Sequence, residues 1–480
     1  MRYSVILRYV GTVMILLAAF MAVSAGISYV SHDSGFYPLL LSSLLTLLLG
    51  CFPMIFVPKT SSISTKEGFM IVVGSWVLSC VVGMFPYLIW GGEFSLVNAW
   101  FESVSGFTTT GASILQDVEA VPQGLLFWRS ASCWIGGVGV VMFALLVLPS
   151  LGTNKMALSG IELSSLAKDN FNYRTQTLVR IVLSIYVGLT AITIIALKLS
   201  GLNWFDSLCH AMSACSTCGF SNKNLSVGHF NSPVVELILI VAMLIAGMHF
   251  GLIYSTLTRK SNNIFRSEIT RSYLLMFALS SVMIAISLRA ADIYPTALSS
   301  LRHAAFQTAS LMTTSGFATA DCNTWTPFAI LILMFCSLIC GCAGSTSGGL
   351  KVDRLVLALK MLKNKLQSQQ HPNVIMRIKV DGYCQDQSML NGVMVYIVAF
   401  MLLVLIGTFI NTLFGCDLMT GFSATLACAS NVGPGFGEVG TMDNYSSMPV
   451  IVKMCLSFVM LFGRLEIFGL VQLFFMRWWK

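Results

Sequence analysis

Long runs of apolar residues, separated by short polar segments, recur along the whole 480-residue chain. Clear examples are Tyr9–Val30, Phe69–Trp90, Phe127–Pro149, Leu178–Leu199 and Val393–Leu413. Each run offers about 20 residues, which is the length that an α-helix needs to cross the hydrocarbon core of a bilayer. The pattern therefore predicts an all-α membrane protein.

Four shorter apolar stretches break this pattern, and each of them leads into a polar loop that contains a glycine. They cover residues 96–106, 204–214, 294–312 and 418–429, and the loop glycines are Gly111, Gly219, Gly316 and Gly433. Stretches of this length are too short for an ordinary span and are typical of re-entrant or interfacial helices. In each loop, three small or β-capable residues precede the glycine, and Ala, Phe or Pro follows it.

The recurrence of these loops divides the chain into a first hairpin and four similar repeats. Each repeat holds a span, a short helix with its loop and a second span, so that the whole chain has about ten transmembrane helices. We expect the hairpin at residues 1–58 and pore repeats at 59–155, 156–260, 261–387 and 388–480. The third repeat ends in a polar connector over residues 351–387, which suits a docking surface and an ordinary solvated segment equally well.

Charged residues make up only 10% of the chain, against about 25% in a soluble globular domain. The net charge is +8, and most of the 28 Lys and Arg residues fall on the cytoplasmic side of a ten-span arrangement with both termini in the cytoplasm. This bias is typical of membrane topology, and it points to anionic lipid and away from nucleic acid. The first run lies beside Arg2 and Arg8 without a small-residue cleavage site, which predicts a retained helix.

The four loops have the composition that a cation-coordinating backbone requires. A cation that leaves water needs replacement oxygens, and rings of backbone carbonyl groups supply them in potassium-selective filters. Glycine permits the positive φ angles that direct successive carbonyl groups at one axis. A short helix that ends at each loop directs the negative end of its dipole at the cation. We therefore predict one pore that four loops of a single chain line together.

The glycine and the two residues before it are the candidate ion ligands in each loop. These residues are Thr109, Thr110 and Gly111; Thr217, Cys218 and Gly219; Thr314, Ser315 and Gly316; and Asn431, Val432 and Gly433. One glycine per loop predicts a cage that is less uniform than the filter of a tetrameric channel. In the fourth loop, register with the other loops favours Gly433, and Gly435 is the alternative.

Three polar residues stand nine positions before their loop glycines, namely Glu102, His210 and Gln307. We interpret them as anchors that fix the short helices or the loops. The equivalent position of the fourth loop, Ala424, breaks the pattern.

Arg464 lies inside an apolar run near the end of the chain. A charge at membrane depth is costly and indicates function. A local ion pair with Glu466 is a weak explanation, because residues two positions apart do not face each other on a helix. We interpret Arg464 as a barrier to cations in the pore.

Other functions find little support in the residues. Cys215 and Cys218 form a Cys-x-x-Cys motif, but it has no partner motif and overlaps the second loop, so neither zinc nor a disulfide framework is predicted from the 14 cysteines. The chain contains no His-Glu-x-x-His zinc-protease motif and no Gly-x-x-x-x-Gly-Lys-Ser/Thr nucleotide-binding loop. We therefore expect no enzymatic activity and no organic cofactor. An alternating-access carrier is the nearest rival, and a receptor would leave the four loops unexplained.

Three further segments accompany the loops, and the first two are rich in glycine and other small residues. They are Trp128–Gly139, Gly341–Lys351 and Gly463–Ile467. Together with the loops they resemble the superfamily of Trk, Ktr and HKT potassium transporters, most closely its TrkH/TrkG branch, over essentially the whole chain. The extra N-terminal hairpin is also similar to the Trk branch.

The resemblance implies potassium uptake across a bacterial inner membrane, with K+ as the bound and transported ion, Rb+ permeant and Na+ disfavoured. It implies that the four loop glycines belong to the filter and that Arg464 faces the pore below it. It further implies a gating loop beneath the filter, made of Gly344, Ser345, Thr346, Ser347, Gly348, Gly349 and Lys351; Lys351 equally suits an ordinary cytoplasmic flank. Finally, it implies a homodimer and a TrkA-like cytosolic ring that binds nucleotides, while symport with a proton or sodium ion is left open.

Overall fold

The computed structural model describes residues 2–58, 65–147, 175–258, 264–370 and 377–465. Within these ranges the chain forms seventeen α-helices, one antiparallel pair of two-residue strands and three short 3-10 turns. The described fold is therefore mostly helical, which confirms the all-α prediction.

The N-terminal hairpin consists of α1 (Tyr3–Val30) and α2 (Phe36–Phe56), which pack against each other. A Cβ atom on Gly11 would lie only 2.7 Å from the carbonyl oxygen of Gly50, so these glycines permit a close approach of the two backbones. The opposite face of α2 is apolar and exposed: Leu48 has 68% of its surface accessible and Phe52 65%. Such a face suits contact with lipid chains.

After the hairpin, a long helix, a short helix with a glycine loop and a further helical segment follow each other in the same order four times. The first set is α3 (Thr65–Gly83) with its short continuation α4 (Phe85–Trp90), α5 (Leu96–Phe107) and α6 (Gln123–Val147). The second set is α7 (Thr175–Leu199), α8 (Trp204–Cys215), α9 (Pro233–Ala246) and α10 (Phe250–Leu257). The third set is α11 (Glu268–Ala290), α12 (Ala297–Met312), α13 (Pro327–Ile339) and α14 (Val352–Gln370). The fourth set is α15 (Gln387–Leu413), α16 (Leu418–Ala429) and α17 (Val450–Arg464).

Six helices of the described chain are long and apolar enough to cross a membrane, and α9 with α10 makes a seventh span if the pair, bent by 101°, is counted as one. The ten-span arrangement and the bounds of the hairpin and the four repeats stay predictions. Met1 and residues 466–480 lie outside the described residues, so the cytoplasmic placement of both termini stays a prediction too.

The polar connector of the third set is more ordered than its composition suggests. It begins with α14, whose first residues Val352, Asp353 and Arg354 are buried. Strands β1 (Lys379–Val380) and β2 (Tyr383–Cys384) then form a small hairpin before α15. Residues 371–376, between α14 and the hairpin, lie outside the described residues.

Candidate functional site

The four short helices α5, α8, α12 and α16 end with the same backbone geometry. The residue two positions before each loop glycine has a positive φ angle, between 52° and 62°, and these residues are Thr109, Thr217, Thr314 and Asn431. The N–H of the next residue then bonds back to a carbonyl of its own helix over 2.8 to 3.0 Å, from Thr110 to Ser105, Cys218 to Ser213, Ser315 to Ser310 and Val432 to Ala427. This is the hydrogen-bond pattern of a Schellman helix terminus, repeated four times.

The start of each short helix is capped as well. Side chains of Ser95, Asn203, Thr296 and Asp417 accept hydrogen bonds from N–H groups of the first turn. Thr296 explains why α12 begins at Ala297 and not at residue 294 as the apolar pattern suggested. Because both ends are fixed, each short helix presents the negative end of its dipole to its loop.

The four loops meet in a closed ring. A Cβ atom built on any of the four loop glycines would come closer than 3.0 Å to the carbonyl oxygen just before the glycine of the next loop. The contacts run from Gly111 to Cys218, from Gly219 to Ser315, from Gly316 to Val432 and from Gly433 back to Thr110. This cyclic order requires four backbones around one axis, and it selects Gly433 over Gly435, which instead approaches Val439 and Ser423.

Two loop side chains carry a buried oxygen atom that accepts no hydrogen bond from the described residues. Thr109 Oγ1 and Asn431 Oδ1 are buried and have no hydrogen-bond partner among the described residues. A buried polar atom without a partner is destabilising, and Asn431 Oδ1 lies beside Gly348 and Gly463. The site is therefore rich in the carbonyl, hydroxyl and amide oxygens that replace the hydration shell of a cation.

A buried ion pair supports the first and second loops. Glu102 on α5 lies 2.8 Å from Arg129 on α6 and accepts a hydrogen bond from the N–H of Ile114 at 3.0 Å. Arg129 also donates to the carbonyl of Ser221 at 3.2 Å and covers the ring of Phe220 at 4.1 Å. Glu102 is thus an anchor of the chain that leaves the first loop, as the sequence predicted.

Comparable anchors serve the other loops. His210 Nε2 lies 2.9 Å from Ser221 Oγ, and Gln307 donates to the carbonyl of Ala320 at 3.3 Å. In the fourth set, where Ala424 has no polar side chain, Ser423 serves as the anchor. Its hydroxyl group accepts a hydrogen bond from the N–H of Phe436 and donates one to the carbonyl of Phe436. Sequence reasoning missed this serine because it stands one position out of register.

Sequence reasoning also missed Tyr445, which follows the fourth loop. Its buried hydroxyl group donates a hydrogen bond to the carbonyl oxygen of Gly433 at 2.7 Å. This bond orients the carbonyl of a ring glycine. Tyr445 lies 12 residues after Gly433. No local sequence pattern could have revealed that a tyrosine so far from the loop contacts it.

The glycine-rich segment of the third set interrupts the helix for longer than the resemblance implied. Helix α13 ends at Ile339 and α14 begins at Val352, with Cys340 and Lys351 both at positive φ. We call residues 340–351 the interruption loop. The predicted stretch Gly344–Gly349 is its centre, and its ends are fixed because the N–H of Lys351 donates to the carbonyl of Ile339 at 2.7 Å.

The interruption loop lies directly against the ring of four loops. The N–H of Gly348 donates to Thr314 Oγ1 at 3.2 Å, and Thr346 Oγ1 donates to the carbonyl of Cys215 at 3.1 Å. A Cβ atom on Gly348 would strike the carbonyl oxygen of Ser430. The loop therefore contacts the second, third and fourth loops through buried polar groups.

The break between α9 and α10 is a further feature that the sequence did not reveal. The N–H of Cys342 bonds the carbonyl of Gly247 at 2.9 Å, and the N–H of Phe250 bonds the carbonyl of Gly344 at 3.1 Å. The imidazole of His249 fills the space beside Gly344. The bend between α9 and α10 is therefore the point where this pair of helices contacts the interruption loop.

Arg464 lies at the same level as the interruption loop. Its guanidinium group is buried, and it donates to the carbonyl oxygen of Thr346 at 2.7 Å. Glu466, the alternative partner considered from the sequence, lies outside the described residues. The structure thus brings Arg464 together with the centre of the interruption loop.

Carboxylates lie in the segments that follow the first, third and fourth loops. A hydrogen bond from Asn224 lowers the pKa of Asp117, so this group stays ionised. Partial burial raises the pKa of Asp443, and the nearby carboxylate of Asp321 raises it further. Clustered negative charge raises the local concentration of cations.

The chain matches a family model described as "Cation transport protein", TrkH, over residues 45–477. The Trk system potassium uptake proteins TrkH of Salmonella typhimurium and of Escherichia coli K12 are 32% identical to it over 100% of both chains. TrkG of Escherichia coli K12 is 32% identical over 87% of this chain and 86% of its own. The crystal structure of the potassium transporter TrkH from Vibrio parahaemolyticus superposes with a TM-score of 0.89, at 29% identity and 98% coverage of each chain.

The fold and the ring of loops, taken with these matches, define a multi-pass membrane protein for cation transport. The chain belongs to the TrkH family, as the loops and glycine-rich segments predicted. The family consists of transporters and not of enzymes.

Proposed function

We propose that this protein is the membrane subunit of a Trk-type system and takes up K+ across the bacterial inner membrane. Curated relatives of full length are potassium uptake proteins. The observation that carries the proposal is the cyclic contact between each loop glycine and the preceding carbonyl of the next loop. A ring of this kind provides carbonyl oxygens from four sides, which is the coordination that K+ requires after it leaves water.

In this proposal the twelve loop residues named above form the filter, and the four glycines are essential because side chains there would displace the carbonyl groups. Thr109 Oγ1 and Asn431 Oδ1, two atoms without a hydrogen-bond partner among the described residues, contribute further oxygens, while Asn431 Nδ2 donates to Thr110 Oγ1 at 3.0 Å. The four sets of helices act as pore repeats around the ring, and the N-terminal hairpin flanks them.

The interruption loop acts as the gate. It occupies the space beneath the ring, and its glycines and hydroxyl residues form few helical hydrogen bonds that would have to break when it moves. Arg464 holds the loop at Thr346 and adds a positive charge in the path of the ion. Lys351 closes the loop at its cytoplasmic end, where its backbone has a φ of 75°.

The assembly that we propose is a homodimer with a cytosolic, nucleotide-binding regulatory ring of the TrkA type. The relatives are named as parts of a Trk system, which supports a partner of this kind. The basic connector, with Lys360, Lys363 and Lys379, is a suitable docking surface on the same side as the interruption loop.

Reconstitution in liposomes tests this function. The purified protein, alone and with the cytosolic partner, should take up rubidium by a route that excess sodium does not block. Protein-free liposomes give the background. Uptake that sodium abolishes, or no uptake in the presence of the partner, would contradict the proposal.

A further inference from the structure

The second loop differs from the other three in the side chain just before its glycine. The sulfur of Cys218 lies 2.7 Å from the sulfur of Cys133 on α6, and both side chains are completely buried. All 14 cysteines are free thiols in the described chain. We propose that Cys133 and Cys218 form a reversible disulfide that reduces the selectivity of the pore for K+ over Na+, an inference that rests on the proposed function.

Helix α6 supports the second loop at two points that lie one helical turn apart. Arg129 contacts Phe220 and Ser221, and Cys133 stands four residues later on the same face of α6. Cys133, Cys218 and Phe220 form one small buried apolar cluster. A bond between the sulfurs would therefore join the loop to a helix that is already fixed beside it.

The equivalent side chains in the first and third loops are held in a different way. Thr110 Oγ1 lies 2.8 Å from Thr108 Oγ1, and Ser315 Oγ lies 2.9 Å from Thr313 Oγ1. These hydrogen bonds tie each residue to its own loop, and Thr110 Oγ1 also accepts a hydrogen bond from Asn431 of the fourth loop at 3.0 Å. Cys218 instead turns toward α6, so a covalent link at this position acts on one side of the ring alone.

The disulfide would move a carbonyl group of the ring. A sulfur–sulfur bond is shorter than a non-bonded contact between two sulfurs and holds a fixed dihedral angle, so its formation draws Cys218 toward α6. The carbonyl oxygen of Cys218 is the ring atom that faces Gly111. Because selectivity depends on the number and position of the coordinating carbonyls, withdrawal of one of them toward α6 weakens discrimination against Na+.

Hydrogen peroxide or an equivalent two-electron oxidant supplies the chemistry. One thiolate attacks the peroxide, which forms a sulfenic acid and hydroxide, and the second thiol displaces the sulfenic hydroxyl group to form the disulfide. In total, two thiols lose two protons and two electrons, and one peroxide becomes two molecules of water. Burial keeps a thiol neutral and slow to react, but the contact between the sulfurs favours closure once the first thiol has reacted.

The test uses the full-length protein in liposomes, treated with hydrogen peroxide and then, in half of the sample, reduced with a phosphine. We expect mass spectrometry to find a peptide that links Cys133 with Cys218. We expect rubidium uptake in excess sodium to fall by about threefold and to recover after reduction. The variant Cys133→Ser should take up rubidium like the wild type and should not respond to peroxide, whereas Cys80→Ser, which removes another buried thiol, should respond like the wild type.

Three results would overturn the inference: no link between Cys133 and Cys218 after oxidation, a link that leaves sodium sensitivity unchanged, or a Cys133→Ser variant that still responds to peroxide. If Cys133→Ser does not fold, oxidation and reduction of the wild type decide alone. A reduced wild type without sodium-resistant uptake would instead refute the proposed function, because mass spectrometry reports the disulfide independently of transport.

Discussion

At the scale of single residues, the loops depend on backbone conformations that their sequence does not favour. Thr109, Thr217 and Thr314 have φ angles of 52°, 56° and 62°. A β-branched residue in this region is strained by about 1–3 kcal/mol, and such strain is concentrated at functional sites. The strained residues let the chain turn from each short helix into the ring within two residues.

Arg464→Gln tests the barrier to cations. The variant loses the positive charge and the hydrogen bond to the carbonyl of Thr346. We expect rubidium uptake to increase by about fivefold, which corresponds to a barrier lower by roughly 1 kcal/mol. Arg464→Lys keeps the charge and should stay closer to the wild type. Slower uptake by a folded Arg464→Gln protein would contradict the role of Arg464 as a barrier.

Glu102→Ala tests the buried ion pair. The variant leaves Arg129 buried without its carboxylate partner, and we expect stability to fall by about 3–5 kcal/mol. The effect is measured by thermal unfolding in detergent, which is monitored as the loss of the monodisperse peak in size-exclusion chromatography. Glu119→Gln removes the partner of a more exposed pair with Lys223 and should change stability little. Equal unfolding temperatures for both variants would show that Glu102 is not an anchor.

At the scale of elements, the short helices are stable because both ends are fixed. Asp417 caps α16 with hydrogen bonds from the N–H groups of Met419 and Thr420, at 3.1 and 3.2 Å. Hydrogen bonding to Thr420 lowers the pKa of Asp417 below its ordinary value. The stabilisation by this cap is therefore present above the pKa of the unfolded chain and is lost as the pH falls through the folded-state pKa.

Asp417→Ala should consequently destabilise the protein by about 1 kcal/mol at neutral pH and by less in acid. Asp417→Asn preserves the cap without a titrating group and should remove most of the pH dependence of this difference. Unfolding temperatures of the three proteins at neutral and acidic pH provide the measurement. A difference between Asp417→Ala and the wild type that does not shrink in acid would contradict the assignment.

The elements also illustrate what sequence can predict. The resemblance to the transporter superfamily implied the break at Gly344–Gly349 in the third set, and its composition explains the break, because glycine and serine are poor helix formers. Its ends at Cys340 and Lys351 depend on φ angles of 64° and 75° that packing imposes, and neither residue favours them locally. The bend at Gly247–His249 stayed hidden because it requires contact with the interruption loop, which is distant in sequence.

At the scale of the whole molecule, polar residues surround the ring and apolar residues face outward. Sequence periodicity predicted the long helices, and the recurring glycines predicted that the four loops belong together. The sequence did not reveal that each loop glycine faces the carbonyl that precedes the glycine of the neighbouring loop. This contact arises only when four segments that are distant in sequence assemble. Ser423 escaped prediction because it stands one position out of register, and Tyr445 because no local pattern marks it.

Cys384 offers a native probe of topology. Among the cysteines of the described chain it alone is exposed to solvent, and it lies in β2 just before α15. We expect a membrane-impermeant maleimide to label it in inside-out vesicles and not in intact spheroplasts, because the connector is cytoplasmic in our proposal. The variant Cys384→Ser identifies background labelling. Labelling from the outside would contradict the predicted orientation.

The ring itself is tested most directly by rubidium uptake into liposomes, with and without excess sodium, for Gly316→Ser. Gly316 has a φ of 76°, and the new side chain would strike the carbonyl oxygen of Val432. The control variant Gly415→Ser also places serine at a positive φ, of 99°, but its Cβ has no atom within 4 Å. We expect Gly316→Ser to lose the resistance to sodium and Gly415→Ser to keep it. Sodium-resistant uptake by both variants would contradict the claim that these glycines form a selective ring.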